Sequence, residues 1–521
     1  MNDDTLTTPR RFRFKPGVPD LAFCFFLWLI LMLSGNGMLD DPGLGWHLRI
    51  PDLMWEKGGF LYEEVWSWRT EGTRWLAYGW LGDIPLRWAY EWSGLTGVAV
   101  FTSLIFAAVL RILFRRIQNL GTVWPVTFIW CLLALVGIIP SMTARPNFYS
   151  FIGVALTCWI IDIFHRDPSR KKVTLWLIPI FALWANMHGG FLAGALILAL
   201  ACLAEACSMF FSQETVVREQ SRSRLKWWVI LGPFIFLATL LTPYGWELYT
   251  WAYELTTDPY MQEQTTTEWR PPNFKATGWG SLEALVLALP FLAMLSRIRV
   301  SLVLILTTIG MLHFGLTSAR YTTLWIVVAI PVLAELATGV PIYQAVGQYL
   351  RKHGSPEVSR LLATPGGSGS PLLCLLIAVL VLAVSPWLPI NAQHKEGRIP
   401  EAAAQYVLEN YHGERVFHSP NWGGYLTHHG WDNEQRFRIM LDDRIDVHGR
   451  EALEEYRQIY NAQPGWEQLV AKNKIEVLFL PNDSDLVHAA KESPEWEQTY
   501  HDSLATVFRR ISPTETAPEA D

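Results

Sequence analysis

Eleven apolar runs dominate this chain and leave it few folds to choose from. A helix needs roughly 20 mostly apolar residues to cross the hydrocarbon core of a bilayer. Runs of that kind occupy 20–39, 95–110, 122–140, 148–164, 174–187, 190–211, 227–243, 280–295, 300–316, 321–338 and 371–389. In lipid the backbone must satisfy its own hydrogen bonds, so such runs are helices. The first run has no small-residue cleavage site and continues into Gly35-Asn36-Gly37 and Asp40-Asp41, which predicts a retained helix rather than a signal peptide. The fifth is short, and its border with the sixth falls at His188-Gly189-Gly190. Composition agrees: 17% of residues are charged, against about 25% in soluble proteins. The sequence thus predicts an α-helical polytopic membrane protein of about 11 transmembrane helices.

The charge pattern sets orientation and domains. Basic residues are retained on the cytoplasmic side of short loops. Threading from an inner N-terminus puts Arg10, Arg11, Arg13 and Lys15 inside, then Arg111, Arg115 and Arg116, then Arg166, Arg170, Lys171 and Lys172. Later inner loops take Arg218, Arg222, Arg224 and Lys226, then Arg297 and Arg299, then Arg351, Lys352 and Arg360. Six successive inner segments agree, which supports the span count, since dropping one helix would invert every later loop. Residues 1–390 carry 29 Lys and Arg against 25 Asp and Glu, whereas 391–521 carry 13 against 23. Two regions in different solvents are expected: a membrane domain over 1–390 and an acidic extracytoplasmic domain over 391–521, periplasmic if the cell is a bacterium, with the protein in the cytoplasmic (inner) membrane. The net charge of -6 argues against nucleic acid as a partner. All six cysteines lie in apolar stretches, so neither a disulfide framework nor a cysteine zinc site is supported.

Two outer loops are long. Residues 40–94 hold nine acids and eight Trp, with helical apolar spacing near Leu48, Asp52, Met54 and Trp55, which predicts amphipathic surface helices. Aromatic faces there serve either as interfacial anchors or as platforms for sugar rings. Residues 244–279 form the second loop. No internal repeat is evident, which counts against transporter folds built on duplicated halves. The tail reads as a small α/β domain. A helix is expected near 400–411, a strand at Arg415 to His418, a turn at Gly423-Gly424, and a strand at 436–441. Helices near 449–472 and strands at Ile475 to Leu480 and near 505–510 follow. The end, Pro513 to Asp521, has the composition of a disordered segment. Asp442-Asp443-Arg444-Ile445-Asp446 has two readings, an internal ion-pair network and a functional site.

Chemistry is signalled by position. Asp40-Asp41 closes the first run, Arg145 follows the third, His188 closes the fifth, and Arg320 opens the tenth. Arg145 and Arg320 are the only basic residues in the short outer loops, against the charge bias obeyed elsewhere, and such exceptions at a membrane boundary are functional candidates. Carboxylates with two Arg and one His suit a site that holds a phosphate and activates a hydroxyl. Guanidinium binds phosphate oxygens through paired hydrogen bonds, and a carboxylate acts as base or coordinates a divalent ion.

An inner N-terminus, an acidic first outer loop with surface helices, about eleven spans and an outer C-terminal domain together resemble the GT-C superfamily of membrane glycosyltransferases. That superfamily includes the protein O-mannosyltransferases, the oligosaccharyltransferases and the lipid A aminoarabinose transferase; the likeness is closer still to largely uncharacterised bacterial members. The matching stretches are Asp41 to Leu48 with Trp46-His47, Ala144-Arg145-Pro146, Leu183 to Gly190 with Asn186 and His188, Thr242 to Gly245, Glu268-Trp269, Arg320, Trp422 to Tyr425 and Asp443-Arg444. The resemblance implies inverting hexosyl or pentosyl transfer from a polyprenyl-phosphate or diphosphate donor to a glycan, lipid or protein acceptor outside the membrane. It makes Asp41 and Asp40 the catalytic acids, with a divalent metal (Mg or Mn) on them if one is used. Arg145, His188, Arg320, Trp46, His47, Asn186 and Glu268 then bind substrate. Relatives read Asp-x-Asp-x-Trp-Trp-His-Leu, whereas this chain has Gly43 at the second Asp and Gly45 at the first Trp, leaving Asp40 to compensate. The other reading is a non-catalytic membrane protein that binds a glycan or lipid carrier during envelope assembly.

Overall fold

The computed structural model describes residues 16–34, 37–260, 267–276, 279–356, 369–389, 397–431 and 436–511. Each of the eleven apolar runs coincides with a helix: α1 (Val18–Leu33), α3 (Trp80–Gln118), α4 (Trp124–Ile138), α5 (Phe148–Arg166), α6 (Leu177–Met187), α7 (Phe191–Phe211), α8 (Thr215–Thr239), α10 (Gly280–Leu295), α11 (Leu302–Thr317), α12 (Ala319–Thr338) and α14 (Pro371–Ala383). Among the described residues, five of these are long and apolar enough to cross a membrane, those at 80–118, 124–141, 148–166, 191–211 and 319–338. Helices α1, α10, α11 and α14 are apolar but shorter. Helix α3 is broken at Ser93 and Gly94, where Gly94 takes a positive φ that only glycine adopts without strain. Its N-terminal part therefore belongs to the first outer loop and the rest to the bundle, whose core packs α1, α4, α5 and α12 around α3.

The first outer loop carries the amphipathic helix α2 (Leu44–Lys57), as its apolar spacing predicts. The second carries α9 (Glu247–Thr257); α13 (Pro341–His353) follows α12. In the C-terminal region α15 (Glu401–Asn410), β1 (Val416–His418), α16 (Pro420–Gly430), α17 (Ile445–Tyr460), α18 (Trp466–Lys472), β2 (Val477–Pro481), α19 (Asp485–Glu492), β3 (Trp496–His501) and β4 (Ala505–Arg510) form one α/β layer. The sheet order is β1-β2-β4-β3, with β1 parallel to β2 and the other pairs antiparallel. Alternation along β2 sorts two cores. Val477 and Phe479 face α2, Trp46, Trp66 and Trp75 of the first loop, whereas Leu478 and Leu480 face α17, α18 and α19. The region thus shares a core with the first loop, and the boundary drawn at 390 and 391 lies outside the described residues.

Two expectations for the tail change. The Gly423-Gly424 turn is part of helix α16, and neither glycine has a positive φ. Their smallness serves close approach instead: a β-carbon at Gly424 would strike the carbonyl of Pro42, and one at Gly45 the carbonyl of Gly424. The expected strand at 436–441 is absent from the sheet. Phe437 and Ile439 are apolar because they enter the core shared with the first loop, where Ile439 bridges Ser67, while Met440 and Leu441 enter the core of α17, α18 and α19. Strand β3 carries no apolar alternation because it is a sheet edge with largely exposed side chains. The end expected to be disordered, 513–521, lies outside the described residues. Of the eight first-loop Trp, Trp46, Trp66 and Trp75 are buried in the shared core, and Trp55, Trp88 and Trp92 are exposed.

Candidate active site

The site lies where the first loop, the α4–α5 connection, the end of α6 and the start of α12 meet. Asp41 follows α1; its Oδ1 accepts the Gly43 N–H at 2.9 Å, and its carbonyl accepts the Leu44 N–H as α2 begins. Arg145 is held by its neighbour, since Ala144 N–H donates to the Met38 carbonyl at 2.7 Å, tying the connection to the first loop. The 3-10 turn Thr267–Trp269 is clipped to α12 through Ser318 Oγ donating to the Glu268 carbonyl at 3.0 Å. Arg145 Nη1 thereby lies 3.7 Å from Asp41 Oδ2 and 3.8 Å from Glu268 Oε1, with Arg320 Nη1 at 3.6 Å from the same Glu268 oxygen. Arg320 also stacks over the Trp269 ring at 5.0 Å. These separations exceed hydrogen-bond length, so charge rather than directed bonds sets the arrangement.

His188 caps α6. Its Nδ1 accepts the Gly190 N–H at 3.0 Å and meets Ser150 Oγ at 2.7 Å, while Ser150 Oγ itself accepts Trp184 Nε1–H. With Nδ1 already accepting, the ring proton is assigned to Nε2. Burial, with Arg320 and Arg145 nearby, holds this imidazole well below its usual range, so His188 is a neutral donor. Asp41, Arg145, His188, Glu268 and Arg320 all line one cavity of about 590 Å³, together with Tyr78. Burial lifts the Asp41 carboxyl above its ordinary value against the pull of Arg145. Burial also raises Glu268, but Arg320 and Arg145 outweigh it and the net direction is down.

Four predicted residues stand elsewhere. Asp40 points away from Arg145, toward Arg398 at 3.7 Å, and lines a separate cavity of about 410 Å³ with Asn421 and Trp422; Asp41 borders both cavities. Asn186 is spent on the framework, accepting from Trp80 Nε1 and donating to the Ala182 and Leu241 carbonyls. Trp46 and His47 line a smaller space of about 50 Å³ behind Arg145 and His188. There His47 Nδ1 pairs with the fully buried Asp83 at 2.8 Å, and Trp46 Nε1 donates to Asp443 Oδ1 at 2.8 Å. Residues the sequence did not single out include Asp83 and Tyr78; Asp446, from the Asp442 to Asp446 cluster, accepts Trp251 Nε1–H at 2.9 Å. Asp83 sits on a helix face with no pattern to mark it, so only the fold reveals it.

The Asp442-Asp443-Arg444 cluster divides between its two readings. Arg444 donates from Nη1 to Glu64 Oε2 at 2.6 Å and from Nε to Asp442 Oδ2 at 2.8 Å, and Asp442 also meets His448 Nε2 at 2.9 Å, all within the core. Asp443 instead turns toward Asp41. A resident divalent ion does not suit this surrounding. Trp46 Nε1–H, the Gly43 N–H and the Arg145 guanidinium face the two carboxylates with donors where a cation needs acceptors. Among the described residues no group of three or more His, Cys, Asp or Glu is arranged to hold one.

No family model and no curated protein matches the sequence. Solved structures do match in shape. The oligosaccharyltransferase of Archaeoglobus fulgidus, tethered to an acceptor peptide with an NVT sequon, superposes at TM-score 0.55 and 11% identity over 95% of this chain and 74% of that one. The oligosaccharyltransferase AglB from Archaeoglobus fulgidus, in complex with an inhibitory peptide and a dolichol-phosphate, gives 0.55 and 11% over 96% and 75%. ArnT of Cupriavidus metallidurans bound to undecaprenyl phosphate gives 0.49 and 12% over 95% and 98%. At these identities the likeness is one of fold: this chain is a multi-pass membrane protein that shares its fold with the archaeal oligosaccharyltransferase structures.

Proposed function

We propose that the protein is a glycosyltransferase of the cytoplasmic membrane, moving a sugar from a polyprenyl-phosphate or diphosphate carrier to a glycan, lipid or protein acceptor on the outer side. The observation that carries the reading is the meeting of Arg145, Arg320 and the neutral donor His188 with the carboxylate of Asp41 on the wall of one cavity. The archaeal enzyme of like fold has been captured with dolichol-phosphate, a carrier of that kind. The distribution of Lys and Arg supports eleven spans, an inner N-terminus and an outer 391–521.

In this mechanism the two guanidiniums and His188 Nε2–H bind the carrier phosphate. Asp41 accepts the proton of the acceptor hydroxyl as its oxygen forms a bond to the sugar C1. The bond from C1 to the phosphate oxygen breaks, and its electron pair leaves on the phosphate, where Arg145 and Arg320 stabilise the charge. His47, paired with Asp83, holds the wall behind Arg145. The test is the full chain purified in detergent: it should bind undecaprenyl phosphate and consume at least one polyprenyl-phosphate sugar from a panel. Binding without consumption would favour the non-catalytic carrier-binding reading, and neither would defeat both.

A further inference from the structure

Gly43 stands where the pattern of related chains has a second aspartate, yet a carboxylate is present beside it. A β-carbon on residue 43 would meet Asp443 Oδ2 at 2.9 Å, Trp46 Nε1 at 2.9 Å and Asp41 Oδ1 at 3.1 Å. Carboxylates from opposite ends of the chain thus converge on one point, and any side chain at 43 would displace the one at 443. Gly43 has φ -84, which other residues adopt freely, so space rather than backbone geometry excludes them. Asp443 is fixed on both flanks: Trp46 Nε1–H donates to its Oδ1, and Asp442 and Arg444 are locked in the buried network.

Resting on the carrier-phosphate reading above, we propose that Asp443 is the second acid of the site, a positioning residue whose carboxyl converges with that of Asp41 beside Gly43 and sets the charge the phosphate meets. Around the two spaces that the pair lines stand Arg145 from the α4–α5 connection, Glu268 from the turn at 267–269, His188 from the end of α6, Arg320 from α12 and Tyr78 of the first loop, with His47 from α2, Asp83 from α3, and Asp442, Arg444 and Asp446 from the C-terminal region on the side of Asp443. Burial, opposed by Arg145 and reinforced by Asp41 and Asp442, pushes Asp443 up to about 7. Two carboxyls in one site cannot both ionise freely, and the titration belongs to the pair. With Asp443 neutral, Arg145 and Arg320 face Asp41 and Glu268 alone. Ionised, Asp443 adds a third carboxylate against the same two guanidiniums and repels the phosphate.

The test is undecaprenyl phosphate affinity of the full chain in detergent, compared between wild type and Asp443→Asn, so that the carrier's own second ionisation cancels in the ratio. The ratio of wild-type to variant Kd should rise from near 1 at pH 5.5 to about 10 at pH 8.5, the order expected of one added charge in a partly buried site. Gly43→Asp combined with Asp443→Ala returns a carboxylate to the same point from the first loop and should restore the wild-type pH dependence. A flat ratio, or a relocated variant that behaves as Asp443→Asn, overturns the pairing. Should neither protein bind the carrier, the carrier reading fails, and limited proteolysis within 401–511 decides the inference. A carboxyl raised from the ordinary 3.8 to about 7 costs the folded state nothing below the first value and its full penalty above the second. Wild type should then be cut progressively faster than Asp443→Asn from pH 5 to pH 8, and a constant cleavage ratio overturns the pairing.

Discussion

Replacing Arg444 by Met should loosen the C-terminal region from the first loop far more than any surface change. Arg444 joins Glu64 of the loop to Asp442 of the tail and lies over the rings of Trp75, Trp66 and Trp46 at 4.6, 4.7 and 5.5 Å. Glu64 and Asp442 side chains are fully buried, so removing the cation leaves two carboxylates in a low-dielectric core. Losing one partner of such a pair costs about 3–5 kcal/mol. Both carboxylates keep other donors, Trp66 and Ser67 N–H on Glu64 and the backbone N–H of residue 444 on Asp442, which argues for the middle of that range. A loss of about 4 kcal/mol raises the open population roughly a thousandfold. Proteolysis of the open form tracks that population when closing outpaces cleavage, so the cleavage rate within 401–511 should rise by up to that factor. Adding Glu64→Gln and Asp442→Asn removes the stranded charges and should recover most of the loss. A rise below tenfold for Arg444→Met, or a triple variant no better than the single, would show that the network does not hold the two regions together.

Arg145→Ala and Arg320→Ala should each weaken undecaprenyl phosphate binding roughly 10- to 150-fold, the loss of a charge-assisted hydrogen bond of about 1.5–3 kcal/mol; Lys at either position should rescue only part, for want of the planar fork, and unchanged titrations would remove these residues from the site. Asp41→Asn should strengthen carrier binding up to about tenfold, since one carboxylate facing the guanidiniums is removed, yet lower turnover by roughly 10²–10⁴, while Asp40→Asn, on the far side of the loop, stays within a few-fold of wild type; rate assays giving the reverse order would reassign the base. Treatment with a chelator should leave both binding and turnover unchanged, and restoration by Mg or Mn of activity lost to it would establish a metal role.

Much of the architecture was legible because lipid allows so few solutions: an apolar run of sufficient length has to be a helix, and all eleven runs are helical. Arg145, His188 and Arg320 were legible for a related reason, since polar groups at helix ends beside lipid need partners, and they meet in one cavity with Glu268, which only the family resemblance picked out. Asp40 and Asn186 satisfied the same rule through partners the sequence cannot show, Arg398 across the loop and Trp80 within it. The tail was read less well because its alternation had two sources. In β2 it reflects a sheet with two buried faces, whereas at Phe437 and Ile439 it reflects burial against the first loop.

The two glycines that interrupt the first-loop pattern were read singly, as missing residues, and their causes lie far along the chain. Gly45 has no side chain because the backbone of Gly424 occupies that space, and Gly43 has none because Asp443 does. Each departure in the loop is therefore matched by a group that the C-terminal region inserts. Trp46 links the two effects: it sits on α2 between both glycines and Asp443, in the core shared with β2. A C-terminal region that only shielded the site would be free to drift against the loop, but one that supplies a carboxylate through a glycine gap is held to a few tenths of an ångström. The buried Arg444 network beside Asp443 meets that requirement, which explains why an ion-pair cluster and a site residue occupy consecutive positions in one short segment.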